Sequence, residues 1–80
     1  MGIKKEQIIY LEDNRAEVGQ KLYELRQEHQ LSIDDISKLS GLSHHRIKNV
    51  EQGKSFGLRR VAVIAAIYNY KLKFELIKAS

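Results

Sequence analysis

The residues of this chain best suited to chemistry lie between Ser43 and Lys54, in SHHRIKNVEQGK. Ile47 and Val50 fall at helical spacing and face inward, which leaves His44, His45, Lys48 and Asn49 on the other faces of the same helix, at or near its N-terminal half. An Asn amide pairs in bidentate fashion with adenine, and a Lys ammonium reaches guanine O6 and N7. Ser43 is placed as an N-cap, and the free N–H groups at a helix start suit a phosphate. The preceding stretch, SIDDISKLSGL, supplies a second short helix and a Gly-containing turn. Two short helices so joined form a helix-turn-helix, in which the N-terminal residues of the second helix meet base edges in the major groove.

Other chemistries fit these residues poorly. His44 and His45 are adjacent, so on a helix they point about 100° apart and cannot form the i, i+4 pair that chelates a metal. The sequence has no Cys and only one other histidine, His29, so no metal site, disulfide framework or cysteine zinc site is expected. Ser, His and Asp are not grouped as a nucleophile with its base, and no Gly-rich phosphate loop occurs, so neither an enzyme nor a cofactor is expected. The bland alternatives are a solvated charged face and surface histidines without a role. Tyr10, Tyr23, Tyr68, Tyr70, Phe56 and Phe74 are not interleaved with basic residues as single-strand binders require, so they read as packing residues.

Four helices are expected to position the site. Asn14-Arg15-Ala16-Glu17 resembles a capping box, and Val18, Leu22 and Leu25 form the apolar stripe of a helix over about 15–29. Ser32, with Asp35 three residues on, caps a helix over 33–40, and Asp34 and Asp35 complement its dipole. Gly41 ends that helix in the left-handed conformation, and Leu42 turns back toward the core. The third helix spans 44–52, and residues 53–57 form a loop bracketed by glycines. Leu58, Val61, Ala62, Ile64, Ala65 and Tyr68 make a fourth, apolar helix, which Asn69 could end in the left-handed conformation.

The two ends of the chain are less regular. Residues 1–13 carry apolar side chains without a clean period and could be a helix, a strand or an arm. Tyr70, Leu72, Phe74 and Leu76 alternate with Lys71, Lys73, Glu75 and Ile77, which reads as a β-strand. A lone strand has unpaired edges, and its simplest partner is the same strand of a second copy across a two-fold axis. On that basis Tyr70, Leu72, Phe74 and Leu76 form the dimer interface, with Phe74 at its core. A fifth helix, and pairing with residues 7–11, are the alternatives.

Eighty residues make one domain with a small core, and the net charge is +4. The charge is unevenly placed. Lys38, Arg46, Lys48, Lys54, Arg59 and Arg60 face only Glu51 within residues 38–60, whereas residues 1–37 are net acidic. The positive field therefore coincides with the third helix and the loop after it, as a phosphate-facing surface requires. No apolar run approaches membrane-spanning length and no signal segment is present, so a soluble, intracellular protein is expected.

The stretch LYELRQEHQLSIDDISKLSGLSHHRIKNVEQGKS resembles the phage repressor and Cro-like helix-turn-helix family, also called the XRE family. The resemblance runs from about Val18 to Tyr68. It is most specific at Leu25-Arg26, at Gly41-Leu42-Ser43 and at Val50-Glu51-Gln52-Gly53-Lys54. It implies an all-α, lambda-repressor-like bundle of about five helices whose third helix reads the major groove. It places His44, His45 and Asn49 at base contacts and Lys48 at a base or phosphate. Ser43, Gln52 and Lys54 match positions that hold phosphates, joined by Arg59 or Arg60. Arg26 and Glu51 match a salt bridge that ties the first helix to the end of the third. Three residues depart from the pattern: Ile33 replaces a Gln that commonly touches phosphate, Ser37 replaces Ala, and Ser40 is polar where an apolar residue is common. The ending YKLKFELIK is similar to HipB-like antitoxins, in which such strands pair between protomers.

These observations together lead us to expect an N-terminal segment at 1–13, a DNA-binding domain at 14–69 and a dimerisation strand at 70–80. The expected function is that of a homodimeric, sequence-specific regulator, a repressor, bound to double-stranded DNA in a bacterial or phage-encoded, cytoplasmic and nucleoid-associated setting. The alternative is an antitoxin-type interaction module that binds a toxin protein through residues 1–13 and autoregulates its operon. A helix-turn-helix that has lost DNA binding is a third reading, opposed by the basic balance of 38–60.

Overall fold

The computed structural model describes residues 5–55, 57–73, 76 and 78, with side chains from Asn14 onward. The described residues form four helices and no strand: α1 (Lys5–Glu28), α2 (Ile33–Ser40), α3 (His44–Glu51) and α4 (Leu58–Ile67). α1 packs on α3, α2 on α3 and α4, and α3 on α4.

α1 is longer than its apolar stripe predicts. Its 24 residues span roughly 36 Å at 1.5 Å per residue. Asn14-Arg15-Ala16-Glu17 therefore lies inside the helix and is not its start. A capping box acts only where the chain leaves helical geometry, and neither Gly nor Pro interrupts residues 5–18. Residues 7–11, being helical, do not pair as a strand with the tail.

The core collects Leu22 and Leu25 from α1, Ile36 from α2, Ile47 and Val50 from α3, and Val61, Ile64 and Ala65 from α4, followed by Tyr68. Ile36, Ile47 and Ile64, one from each of the three short helices, are fully buried at its centre. The Tyr68 ring tilts against His29 at 5.3 Å between centroids. Its hydroxyl is buried without a hydrogen-bond partner.

Three helices close in the same way. After α1, Gln30 N–H donates to Gln27 O (3.0 Å) and Leu31 N–H to Arg26 O (3.1 Å). After α3, Gly53 N–H donates to Val50 O (3.1 Å) and Lys54 N–H to Asn49 O (2.8 Å). After α4, Asn69 N–H donates to Ala66 O (3.0 Å) and Tyr70 N–H to Ala65 O (3.0 Å). Each is a Schellman closure with its pivot at positive φ: Gln30 at 54°, Gly53 at 73° and Asn69 at 64°.

The tail departs from the alternation read in the sequence. Residues 70–73 are neither strand nor helix. Tyr70 sits beneath Lys21 Nζ, which is 5.9 Å from its ring centroid. Leu72, expected at a dimer interface, packs against this chain's own core. It lines two clefts between α1 and α4 together with Val18 and Val61. Leu76 is 95% exposed. Phe74, the proposed centre of the dimer strand, lies outside the described residues.

Candidate nucleic-acid interface

The unit of α2, turn and α3 is built by short-range hydrogen bonds. Ser32 Oγ accepts from Asp35 N–H (3.0 Å), while Ser32 N–H donates to Asp35 Oδ2 (2.8 Å). This reciprocal capping box starts α2, and the Ser32 backbone bond holds the Asp35 carboxyl below its ordinary range. Gly41, at φ 76°, ends α2 with its N–H on Ser37 O (2.9 Å). The two serines that depart from the expected pattern both serve the turn. Ser37 Oγ donates to Leu42 O (2.7 Å), and Leu42 N–H donates to Ser40 Oγ (3.1 Å). The turn's polar backbone is thereby satisfied where apolar residues would leave it bare.

Ser43 then caps α3, its Oγ accepting from Arg46 N–H at 3.2 Å. Ile47 and Val50 are buried. Ser43, His44, His45, Lys48 and Gln52 are exposed and Asn49 is half-buried. Positions 44, 45, 48, 49 and 52 form one continuous stripe on a helix, so the polar side chains share a face. Lys54 follows the Gly53 pivot and is exposed, as are Arg59 and Arg60 in the first turn of α4. No acidic residue stands in the first turn of α3 or of α4. A cationic helix start is unfavourable in the isolated protein and becomes favourable when an anion is bound there.

Two contacts order this face. Asp34 Oδ1 accepts from His44 Nε2 (3.2 Å), and Asp34 Oδ2 accepts from Lys38 Nζ (3.0 Å). Lys38 first, and His44 after it, hold the Asp34 carboxyl below its ordinary range. Asn49 Nδ2 lies 3.3 Å from His45 Nε2. Neither pairing was visible in the sequence, although the i, i+4 spacing of His45 and Asn49 permits theirs.

α3 is held in place by α1. Arg26 Nε donates to Glu51 Oε2 (2.8 Å) and Nη2 to Oε1 (3.1 Å), while Nη1 donates to Leu31 O (3.1 Å). Glu51 is only 9% exposed, so the bidentate pair is shielded from water. The bond to Glu51 raises the Arg26 pKa further above its ordinary value. The backbones meet at Gly19, where a Cβ would stand 2.4 Å from Val50 O. At Gly53 a Cβ would stand 2.7 Å from the Ala16 Cα.

An open groove of about 610 Å³ runs beside the polar face of α3. Gln20, Tyr23 and Arg26 of α1 line one wall, and Lys48, Glu51 and Gln52 of α3 the other, with Ile33 also lining it. Sequence reasoning missed Gln20 and Tyr23. Their positions off the apolar stripe of α1 were legible, but not that this side of α1 borders α3. Among the described residues no three His, Cys, Asp or Glu side chains are grouped to hold a metal ion, and no helix is long and apolar enough to cross a membrane. No protein-family model matches the chain, and no curated protein or solved structure matches it either.

Proposed function

We propose that this protein is a sequence-specific DNA-binding regulator, a repressor, that acts as a homodimer with α3 as its recognition helix. The observation that carries this reading is the polar face of exposed Ser43, His44, His45, Lys48 and Gln52 with half-buried Asn49 among them, continued by basic residues without acids at the starts of α3 and α4. His44, His45, Lys48 and Asn49 discriminate bases. Ser43, Gln52, Lys54, Arg59 and Arg60 hold phosphates. On this reading the chain is a cytoplasmic member of the XRE family and forms a dimer with a second copy, in which Leu72 takes no part because it packs on its own core. Two recognition helices then enter successive major grooves about 34 Å apart.

Footprinting on the DNA upstream of the protein's own gene, at two salt concentrations, tests this. A protected palindrome with half-sites one turn apart is the expected result. Asn49→Ala is expected to relax base preference, whereas Lys54→Ala weakens binding to all sequences and lowers the salt slope by about one. Weak, strongly salt-dependent binding without a footprint would overturn the reading.

A second reading is an antitoxin-type module with a toxin partner. On that reading the toxin is bound through residues 1–13, and Leu39 and Leu58, 63% and 51% exposed, are further apolar side chains open to a partner. Co-purification with the product of a neighbouring gene tests it.

A further inference from the structure

α1 runs past the helices that pack on it. The turn after α3 reaches α1 at Ala16, where a Cβ on Gly53 would stand 2.7 Å from the Ala16 Cα. α4 starts at the level of Asn14, since Leu58 shares a cleft with Asn14 and Arg15, and it reaches the level of Leu25 at Ala65. Residues 5–13, roughly 13 Å of helix, therefore lie beyond the start of α4 as an arm. In this arm positions 8 and 11, Ile8 and Leu11, continue the heptad spacing of Arg15, Val18, Leu22 and Leu25. The arm is acidic, with Glu6, Glu12 and Asp13 against Lys5 alone.

The outer side of α4 has the complementary character. Val61, Ile64 and Ala65 are buried on its core side. Leu58 is 51% exposed, Ala66 is exposed, and Ala62 and Val63 are half-buried. Positions 58, 59, 62, 63 and 66 share one side of a helix, so this face is largely apolar where a surface helix ordinarily carries polar residues. Its surroundings are basic, because residues 52–72 hold Lys54, Arg59, Arg60 and Lys71 and no acid. α4 is about 15 Å long, close to the length of the arm. The arm of the same chain does not reach this face, because the straight run of α1 carries it away from the start of α4.

We propose that the outer face of α4 is the docking site for residues 5–13 of a second copy, and that the two copies exchange arms across a two-fold axis. The inference rests on the homodimer proposed above and gives that dimer its interface. An acidic, apolar helix then lies on a basic, apolar one of similar length, and the symmetry makes the contact twice. Two contacts bring short helices toward the ~1,000 Å² that a specific interface buries. Pairing of two α4 faces, or of two arms, would instead set like net charges together.

Sedimentation of the full chain without DNA, at low and high salt and over a range of protein concentrations, tests this. Ala66→Glu alters the face at an exposed position, and the double variant Ile8→Lys, Leu11→Lys alters the arm. Circular dichroism confirms that each is folded. The wild type is expected to be a dimer that weakens as salt rises. Each variant alone is expected to dissociate at least about tenfold more readily. A mixture of the two variants is expected to recover a heterodimer, because the intact arm of the face variant meets the intact face of the arm variant. That heterodimer keeps one contact of the two and is weaker than the wild type. Variants as dimeric as the wild type overturn the inference and leave the homodimer standing, with its interface elsewhere. Loss of the dimer in both variants without recovery on mixing also overturns it, because it indicates pairing of like surfaces. A wild type that is monomeric at every concentration removes the homodimer and the inference together.

Discussion

α2 and α3 are both eight residues long and both begin at a serine, but only α2 is finished for stability. Its serine has a reciprocal partner in Asp35, and two acids stand in its first turn. At the matching position α3 has Arg46, so its box is left half made, and His-His-Arg occupies the dipole's positive end. What α3 lacks locally it receives from its neighbours. Arg26 clamps Glu51, Ile47 and Val50 are buried, and the Gly53 turn closes its end. The difference teaches that α2 carries sequence choices made for folding. The start of α3 carries choices that stabilise little in the free protein and suit an anion.

The largest expected effect breaks the tertiary support of α3. Glu51→Ala leaves the Arg26 guanidinium buried and unpaired, and urea denaturation is expected to show a loss of about 3–5 kcal/mol. A loss below about 1 kcal/mol would mean that α3 does not depend on this pair. Next comes the α2 cap. Ser32→Ala removes half of the capping box and is expected to lower stability by about 1 kcal/mol. Ser43→Ala removes a single, unreciprocated bond and is expected to have the smaller effect of the two.

Arg46→Glu sharpens the comparison by giving α3 what α2 has. It supplies the missing acid three residues after the cap, so the melting temperature is expected to rise by an amount equivalent to about 0.5 kcal/mol. On the proposed function, DNA affinity at low salt is expected to fall in the same variant. A variant that is both more stable and tighter on DNA would contradict the trade-off.

The smallest effect is in pH. Asp34 and Asp35 have folded-state pKa values lowered from 3.8, so near that pH the unfolded chain binds more protons than the native one. Their contribution is present above about 3.8 and is lost as pH falls through the lower native values. Acid titration of Asp35→Asn is expected to give a shallower decline below pH 4. Tyr68 acts at the opposite end of the scale. Burial raises its pKa above 10.0, so stability falls as pH rises past the unfolded value, and Tyr68→Phe is expected to flatten that decline. The same change removes a buried hydroxyl without a partner and is expected to raise stability near neutrality.

Local chemistry was the legible part of this chain. Ser32 with Asp35, the Gly41 pivot, the Ser43 cap, the left-handed Asn69 and the apolar spacing of the core act within a few residues of themselves. The sequence alone therefore determined α2, α3 and α4 to within a residue or two, along with the exposed polar character of α3. The start of α1 was not legible, because a capping pattern inside good helix formers does not say whether the chain leaves the helix there.

Only the tertiary structure decided how these pieces meet. It brought Gly19 against the last carbonyls of α3, laid Gln20 and Tyr23 beside Lys48 and Gln52, joined Asp34 to His44, and folded Leu72 onto its own core. Each of these depends on how two helices approach in space. The one-dimensional pattern fixes which face of a helix is apolar, but not which neighbour covers that face or what lies along its edge.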